Sequence, residues 1–260
     1  MIQLKTPKQI EIMKTAGRIT AEALLVAEEM IREGVTTKEI DDKINHYIKK
    51  CGAKPTFLGY GGFPGSACIS INDEVIHRIP SHKRILKNGD IVKIDVGAMW
   101  NGFTGDSART FPVGEISDEA KKLIEATKES FFRAVKAIEE TEHPRVGDIG
   151  HAVQSYVEAR GYSVVREFVG HGVGANLHED PNVPNFGRPG RGVKLQPGMV
   201  LAIEPMIAMG DWRVYVEDDE WTVVTRDHSK CSHYEHTVLI TEGEPEILSF
   251  PGAKIPEALR

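Results

Sequence analysis

The apolar positions in the first part of the chain follow a helical repeat. Thr6-Pro7 combines a capping residue with a proline at the first helical position, and apolar residues recur near a 3.6-residue period from there to Gly34. Thr36 and Glu39 have the spacing of a capping box, and a second apolar stripe follows them as far as Gly52. The pattern predicts two consecutive helices.

Shorter apolar runs and turn residues follow. Residues 54–80 are rich in glycine and proline and predict short strands and loops. Residues 91–96 are typical of a buried strand, and Asn101-Gly102 predicts a hairpin turn into a strand that carries residues 104–110. Further helices are predicted near Asp118–Glu140 and Gly147–Arg160, and further strands near Met199–Ile207, Arg213–Val216, Glu220–Thr225 and Glu235–Thr241. This alternation of helix pairs and paired strands indicates an α+β fold with a largely antiparallel sheet.

A short internal repeat relates the two parts of the chain. Residues 88–96 and 197–205 both run from a turn through a glycine into an apolar strand. Each places an acid six residues after the glycine, Asp95 in the first copy and Glu204 in the second. A later strand in each part carries another acid, Asp106 or Glu235. Two similar halves would therefore place four carboxylates around a pseudo-twofold axis.

Length and composition narrow the class of protein. The chain has 260 residues, which is enough for a well-buried core, and no linker-like segment divides it, so a single domain over residues 1–260 is expected. The net charge of −6 disfavours nucleic acid as the main partner. The sequence contains neither a signal peptide nor an apolar run long enough for a bilayer, which predicts a cytoplasmic protein without membrane contact. The three cysteines are too scattered for a disulfide framework and are expected to be reduced.

The acids of the repeat are the first candidates for chemistry. Asp95 lies inside an apolar run, and a buried carboxylate is costly unless it has a partner. That partner is a lysine, an arginine, a set of backbone amides or a metal ion. Glu204 lies in the same setting between Ile203 and Pro205. Two such acids at matched positions favour a metal, whereas Asp106 or Glu235 taken singly is more typical of an exposed strand end.

Histidines supply the second kind of donor. His171 and His178 are separated by Gly172 and Gly174, which argue against a helix and allow the backbone to pass close to a ligand. One imidazole with four carboxylates suits two closely spaced divalent ions, which promote hydrolysis. The sequence has no phosphate-binding loop, no HExxH zinc motif and no GxSxG nucleophile motif.

These motifs resemble those of the type I methionine aminopeptidases, a family of pita-bread metallopeptidases. The resemblance rests on residues 171–181, 197–205 and 235–237, supported by 69–77 and 90–106, and covers nearly the whole chain from Thr6-Pro7. It implies the pita-bread fold, in which a curved, mainly antiparallel sheet is covered by helices in two pseudo-twofold halves. It also implies removal of the initiator methionine from nascent polypeptides whose second residue is small, by a water activated by two metal ions.

The resemblance also implies roles for individual residues. The family's metal ligands correspond to Asp95, Asp106, His171, Glu204 and Glu235, which would hold two divalent ions chosen among Co, Mn, Fe, Zn and Ni. Its catalytic residues correspond to His77, His178 and Glu204. Its substrate-binding residues correspond to Tyr60, Phe63, Cys68, His77, Leu177, His178 and Trp221.

The sequence departs from the family's usual pattern at Arg78, where a glycine is usual, and at His233, where a glutamine is usual. Both changes are expected to alter the electrostatics near the site. The resemblance further implies a monomer whose partners are peptides and nascent chains, with the ribosome as a candidate partner. Two alternatives stay open: another pita-bread peptidase such as a prolidase, or a non-catalytic relative that binds protein or RNA. Prolidases usually carry a large N-terminal domain, and the non-catalytic relatives typically lack the metal ligands.

Overall fold

Four helices form two pairs, one in each half of the chain. The computed structural model describes residues 2–250. The helices are α1 (Pro7–Glu28), α2 (Thr37–Lys50), α3 (Asp118–Glu140) and α4 (Val146–Glu158), and a short 3-10 helix spans Tyr60–Gly62. Among the described residues, no helix has the length and apolar character needed to cross a bilayer.

The capping residues begin the first two helices where the sequence predicts. The Thr6 amide donates to the Gln9 side chain, and the Thr36 amide donates likewise to Glu39, which satisfies amides that have no partner inside the helix. The predicted extension of α1 to Gly34 is wrong, because the helix ends at Glu28. The chain turns there so that the Gly34 amide donates to the carbonyl oxygen of Leu86.

Fifteen strands, all paired antiparallel, form four sheets within residues 2–250. They are β1 (Lys54–Pro55), β2 (Ala67–Ile71), β3 (Glu74–Ile76), β4 (Ile91–Trp100), β5 (Phe103–Pro112), β6 (Ser163–Val164), β7 (Gly170–Gly172), β8 (Glu179–Val183), β9 (Val200–Ile203), β10 (Met206–Ala208), β11 (Val214–Val216), β12 (Val223–Thr225), β13 (Cys231–His233), β14 (His236–Leu239) and β15 (Glu246–Ile247).

Each half is built around one antiparallel pair. In the first half β4 and β5 form a continuous hairpin, and Asn101 and Gly102 both have positive φ, as the predicted turn requires. In the second half the ladder β9–β14 continues into β10–β13, with a break in both strands. The predicted strands 199–207 and 235–241 are therefore each interrupted or shortened. Pro205 lies at the break and has no amide to donate to a ladder.

The two halves meet through backbone contacts between β5 and the start of β14. The Glu235 amide donates to the carbonyl oxygen of Ala108 at 2.9 Å, and the Ser107 hydroxyl donates to the carbonyl oxygen of Glu235 at 2.7 Å. The Thr237 hydroxyl donates to the carbonyl oxygen of Asp106 and accepts from its amide. The acid-bearing segments of the two halves are thereby held side by side.

Each helix pair covers its half with its own apolar core. One core packs α1 and α2 against β2 and β4, and the other packs α3 and α4 against β9 and β14. Gly17 of α1 lies directly on Gly105 of β5, and the Thr20 hydroxyl donates to the carbonyl oxygen of Gly105 at 3.0 Å. This close approach anchors α1 on the strand that carries Asp106.

Replacing Gly105 by alanine tests the close approach of α1 and β5. An added Cβ would lie 2.6 Å from the Gly17 nitrogen, a backbone atom that can yield only if the helix moves. We expect Gly105→Ala to lower the free energy of unfolding by about 1–3 kcal/mol, the range for overpacked cores. Denaturant unfolding measures it. The control is Gly243→Ala, where a Cβ meets nothing within 4 Å; equal stability of the two variants would contradict the packing described.

Candidate functional site

A pocket between the two halves contains every site residue predicted from the sequence. Its lining includes the acids of both halves, three histidines and an apolar wall. Phe57 also lines it. The full lining is Phe57, Tyr60, Phe63, Cys68, His77, Asp95, Asp106, His171, Leu177, His178, Glu204, Trp221 and Glu235.

The strand register places the four acids. Asp106 lies opposite Gly97, two residues from Asp95, so both side chains project from the same face of the β4–β5 hairpin. Glu204 directly follows β9 and Glu235 directly precedes β14, at the break of that ladder. The contact between Ala108 and Glu235 brings the second pair of acids beside the first.

Asp106 and Glu235 are buried, which corrects the exposed position expected for each of them singly. Asp106 is 3% exposed and Glu235 is 2% exposed, because the meeting of the two halves covers both. One oxygen of Asp95 and one of Asp106 are buried without a hydrogen-bond partner among residues 2–250. Such oxygens are costly in a protein interior unless a cation or a proton is close by.

Burial, more than any single neighbour, sets the protonation of the acids. It raises the pKa of Asp106 to about 7. Burial and then the neighbouring Asp106 carboxylate raise the pKa of Asp95 well above its usual range. The pKa values of Glu204 and Glu235 are also raised well above their usual range, by burial and then by the other acids of the group. Without a positive charge between them, the acids therefore retain protons near neutral pH.

His171 presents a free nitrogen to the acids. It lies on β7, where its Nδ1 donates to the carbonyl oxygen of Gly172 at 2.9 Å. Its Nε2 is 3.5 Å from Glu204 Oε1 and 3.8 Å from Asp106 Oδ2. Burial lowers the pKa of His171 to about 4, so the imidazole is neutral and Nε2 carries a lone pair. Single donor atoms of Asp106, His171 and Glu235 lie within 4.8 Å of one another, a spacing that fits a metal ion.

Two other histidines flank this group. The ring of His178 lies 4.2 Å from that of His171, centroid to centroid, and its Nδ1 is 2.7 Å from the Tyr60 hydroxyl. His77 follows β3 with a φ of 62°, a left-handed conformation that side chains rarely adopt and that often marks functional sites. Burial lowers the pKa of His77 to about 4 and lowers that of His178 as well.

An apolar slot opens beside the acids. Phe57, Phe63, Cys68 and Leu177 form a buried cluster against which Trp221 packs, with its ring edge-to-face on Phe63 at 5.1 Å. Burial raises the pKa of the Cys68 thiol well above its usual range, so this cysteine is a small apolar wall residue rather than a nucleophile. The three cysteines are free, as predicted.

The two residues that depart from the family's pattern take different positions. Arg78 does not line the pocket; its Nη1 lies 2.5 Å from Glu217 Oε2 and 3.6 Å from Asp219 Oδ2. These two acids compensate its charge, and they belong to the segment 217–221 that also carries Trp221. The buried His233 places Nε2 3.7 Å from Glu204 Oε2, and burial lowers its pKa to about 3, so it is neutral.

Sequence reasoning missed an ion pair behind this site. Lys5 Nζ lies 2.5 Å from Glu179 Oε2, next to His178 in the chain. The two residues are 174 positions apart, so no local pattern connects them. Thr237, which holds the backbone of Asp106, was missed for the same reason.

Comparison with known proteins agrees with this geometry. The sequence pattern of metallopeptidase family M24 matches residues 11–242. Methionine aminopeptidase from Clostridium acetobutylicum is 54% identical over 250 residues, which are 96% of this chain and 99% of that protein. The crystal structure of methionine aminopeptidase from Thermotoga maritima matches with a TM-score of 0.92 and 48% identity, over 96% of this chain and 99% of that one.

A prolidase from Pyrococcus furiosus is more distant, with a TM-score of 0.74 and 27% identity, and this chain covers 65% of its length. The family pattern spans most of the chain, and the relatives are similar over nearly their whole length. The chain belongs to metallopeptidase family M24 and has the pita-bread fold of its methionine aminopeptidases.

Proposed function

We propose that this protein is a methionine aminopeptidase, which removes the initiator methionine from polypeptides whose second residue is small. The observation that carries the proposal is the group of four carboxylates and one neutral imidazole that lines one pocket beside an apolar slot, with Asp106, His171 and Glu235 buried. The relatives named methionine aminopeptidase support it, at 48–54% identity over almost the full chain. The prolidase alternative has lower similarity and no feature of the pocket in its favour.

The donor set fits the divalent metal that the family uses. The partnerless oxygens of Asp95 and Asp106 need a positive charge, and the neutral His171 offers its lone pair to the same space. Asp95, Asp106, His171, Glu204 and Glu235 would together hold two divalent ions. Carboxylate oxygens with one imidazole suit Co, Mn, Fe, Zn and Ni alike, and availability selects among them in cells.

Metal ions in such a site polarise a carbonyl group and lower the pKa of the attacking water. The remaining steps belong to the protein's own side chains. Glu204 accepts the proton of the attacking water and returns it to the leaving amine. The Tyr60 hydroxyl donates to His178 Nδ1, so that the Nε2–H of His178 donates to the carbonyl oxygen as it becomes negative. His77 binds the amide of the substrate.

The apolar slot selects the side chain that enters. Phe57, Phe63, Leu177 and Trp221 surround a space that suits an unbranched thioether, which adapts to irregular apolar walls. We further propose that residues 1–260 form one catalytic domain that acts as a cytoplasmic monomer. Its partners would be peptides and nascent chains, met at the ribosome.

Metal dependence is the first test. Exhaustive chelation should abolish cleavage of a Met-Ala peptide, because the acids then hold protons instead of a cation. Added Co, Mn, Fe, Zn or Ni should restore it, and elemental analysis of the active protein should find two ions per chain. Full activity at negligible metal content would refute the assignment, and one ion per fully active chain would refute the paired site.

Substrate preference separates this function from that of a prolidase. Met-Ala and Met-Gly peptides should be cleaved well. Met-Leu and Met-Lys should be poor, because a larger second residue would clash beside the acids, and Leu-Ala should be poor because leucine is branched. Rates on these peptides and on Ala-Pro, measured side by side, decide the question; a preference for Ala-Pro would favour the prolidase alternative.

Substituting His171 and substituting His178 should have different effects on metal binding and activity. His171→Ala should lose metal and activity together, because Nε2 is a proposed ligand. His178→Ala should keep its metal while kcat falls by about 10²–10³-fold, the usual loss for one donor to a developing oxyanion. Metal content and kinetics of both variants are compared with His228→Ala, which removes an exposed histidine outside the pocket. Metal loss in His178→Ala but not in His171→Ala would reverse the two assignments.

A further inference from the structure

A buried ion pair joins the N-terminal segment to the segment that carries His178. Lys5 Nζ lies 2.5 Å from Glu179 Oε2, and the two side chains are only 4% and 6% exposed. Ion pairs at a protein surface contribute little, whereas removing one partner of a buried pair is strongly destabilising. Neither residue has a part in the proposed reaction, so this costly arrangement needs another explanation.

Lys5 is held firmly from its own side. Its backbone amide donates to the carbonyl oxygen of Gly198 at 2.7 Å, in the turn before β9. Its Nζ also donates to the carbonyl oxygen of Gln3 at 3.1 Å. The next residue, Thr6, caps α1 and so ties this segment to a long helix. These contacts therefore fix the position of the Lys5 ammonium group.

Glu179 organises the loop 174–179 around its carboxylate. Its Oε1 accepts from the Asn176 amide at 3.2 Å, while Oε2 accepts from Lys5. The start of the loop is tied to β5, because the Thr104 amide donates to the carbonyl oxygen of Gly174 at 2.9 Å. A Cβ on Gly174 would overlap Glu179 Oε1 and lie 2.6 Å from Lys5 Cε, so glycine at this position leaves room for the ion pair.

The loop carries His178 next to Glu179, but the two side chains have different contacts. Glu179 begins β8 and pairs with Gly172 of β7. His178 lines the pocket, whereas Glu179 reaches back to Lys5. On the pocket side, the hydrogen-bond partner of His178 is Tyr60, which is 45% exposed and thus a weak restraint.

We propose that Lys5 and Glu179 are positioning residues for peptide hydrolysis. Their ion pair fixes the backbone of the loop 174–179, and thereby the place from which His178 donates to the carbonyl oxygen. This rests on the proposed function, since it assumes the donor role of His178. A displacement of about 1 Å in such a group costs up to about 10²-fold in rate, so a pair remote from the chemistry controls kcat.

The test is Lys5→Met, made in the wild-type chain and in His178→Ala. It removes the ammonium group and keeps the length of the side chain. With a Met-Ala peptide, we expect kcat of the single variant to fall about 10-fold, below the ceiling set by complete loss of the donor. KM and metal content should stay unchanged. In the His178→Ala background, Lys5→Met should lower kcat no further, because the group it positions is already absent.

Two controls separate positioning from general damage. Lys8→Met removes an exposed lysine three residues away and should have wild-type kcat. The double variant Lys5→Met/Glu179→Gln leaves no unpaired charge buried, so it should unfold near the wild-type temperature and still show the loss of kcat.

Three results would overturn the inference. The first is wild-type kcat in both Lys5→Met and the double variant. The second is a loss that multiplies in full with that of His178→Ala. The third is a loss of kcat that disappears in the double variant together with the loss of thermal stability. A wild-type protein that does not cleave Met-Ala would instead refute the proposed function, and the positioning role with it.

Discussion

Like charges repel one another most strongly where water is excluded, and this fold holds four carboxylates in one pocket. Two of them come from a single hairpin, whose register would place any side chains at those positions together. The other two come from a ladder that breaks where they occur. The backbone pairing of Ala108 with Glu235 joins the two sets, and each half stands on its own apolar core. The framework is thus built to hold an arrangement that only protons or cations make favourable.

The histidines complement the acids because burial keeps them uncharged. A protonated imidazole neither coordinates a metal nor accepts a hydrogen bond, and the lowered pKa values of His77, His171 and His178 prevent that state near neutral pH. Nearby oxygens hold the second nitrogen of two of them, the Gly172 carbonyl for His171 and the Tyr60 hydroxyl for His178. The imidazoles therefore add no positive charge to the pocket, and they act through lone pairs and N–H groups.

The sequence correctly predicted those features of the fold that depend on residues close together in the chain. The capping boxes at Thr6 and Thr36, the extent of α3 and the turn at Asn101-Gly102 follow from neighbouring residues and agree with the structure. Asp106 and Glu235, taken singly, looked like exposed strand ends, since only the contact between the halves buries them. The resemblance to a family named the pocket residues, but it gave no sign that Lys5 contacts Glu179. Their contact depends on how α1 is placed against the second half of the chain.

That placement has a consequence for how the molecule folds. Helix α1 packs at Gly17 against the backbone of Leu248, and the Leu248 amide donates to the carbonyl oxygen of Thr237 in β14. Contacts between such distant positions form late and slow the folding of a chain. The pocket, whose acids come from both halves of the chain, is therefore complete only after these distant contacts have formed.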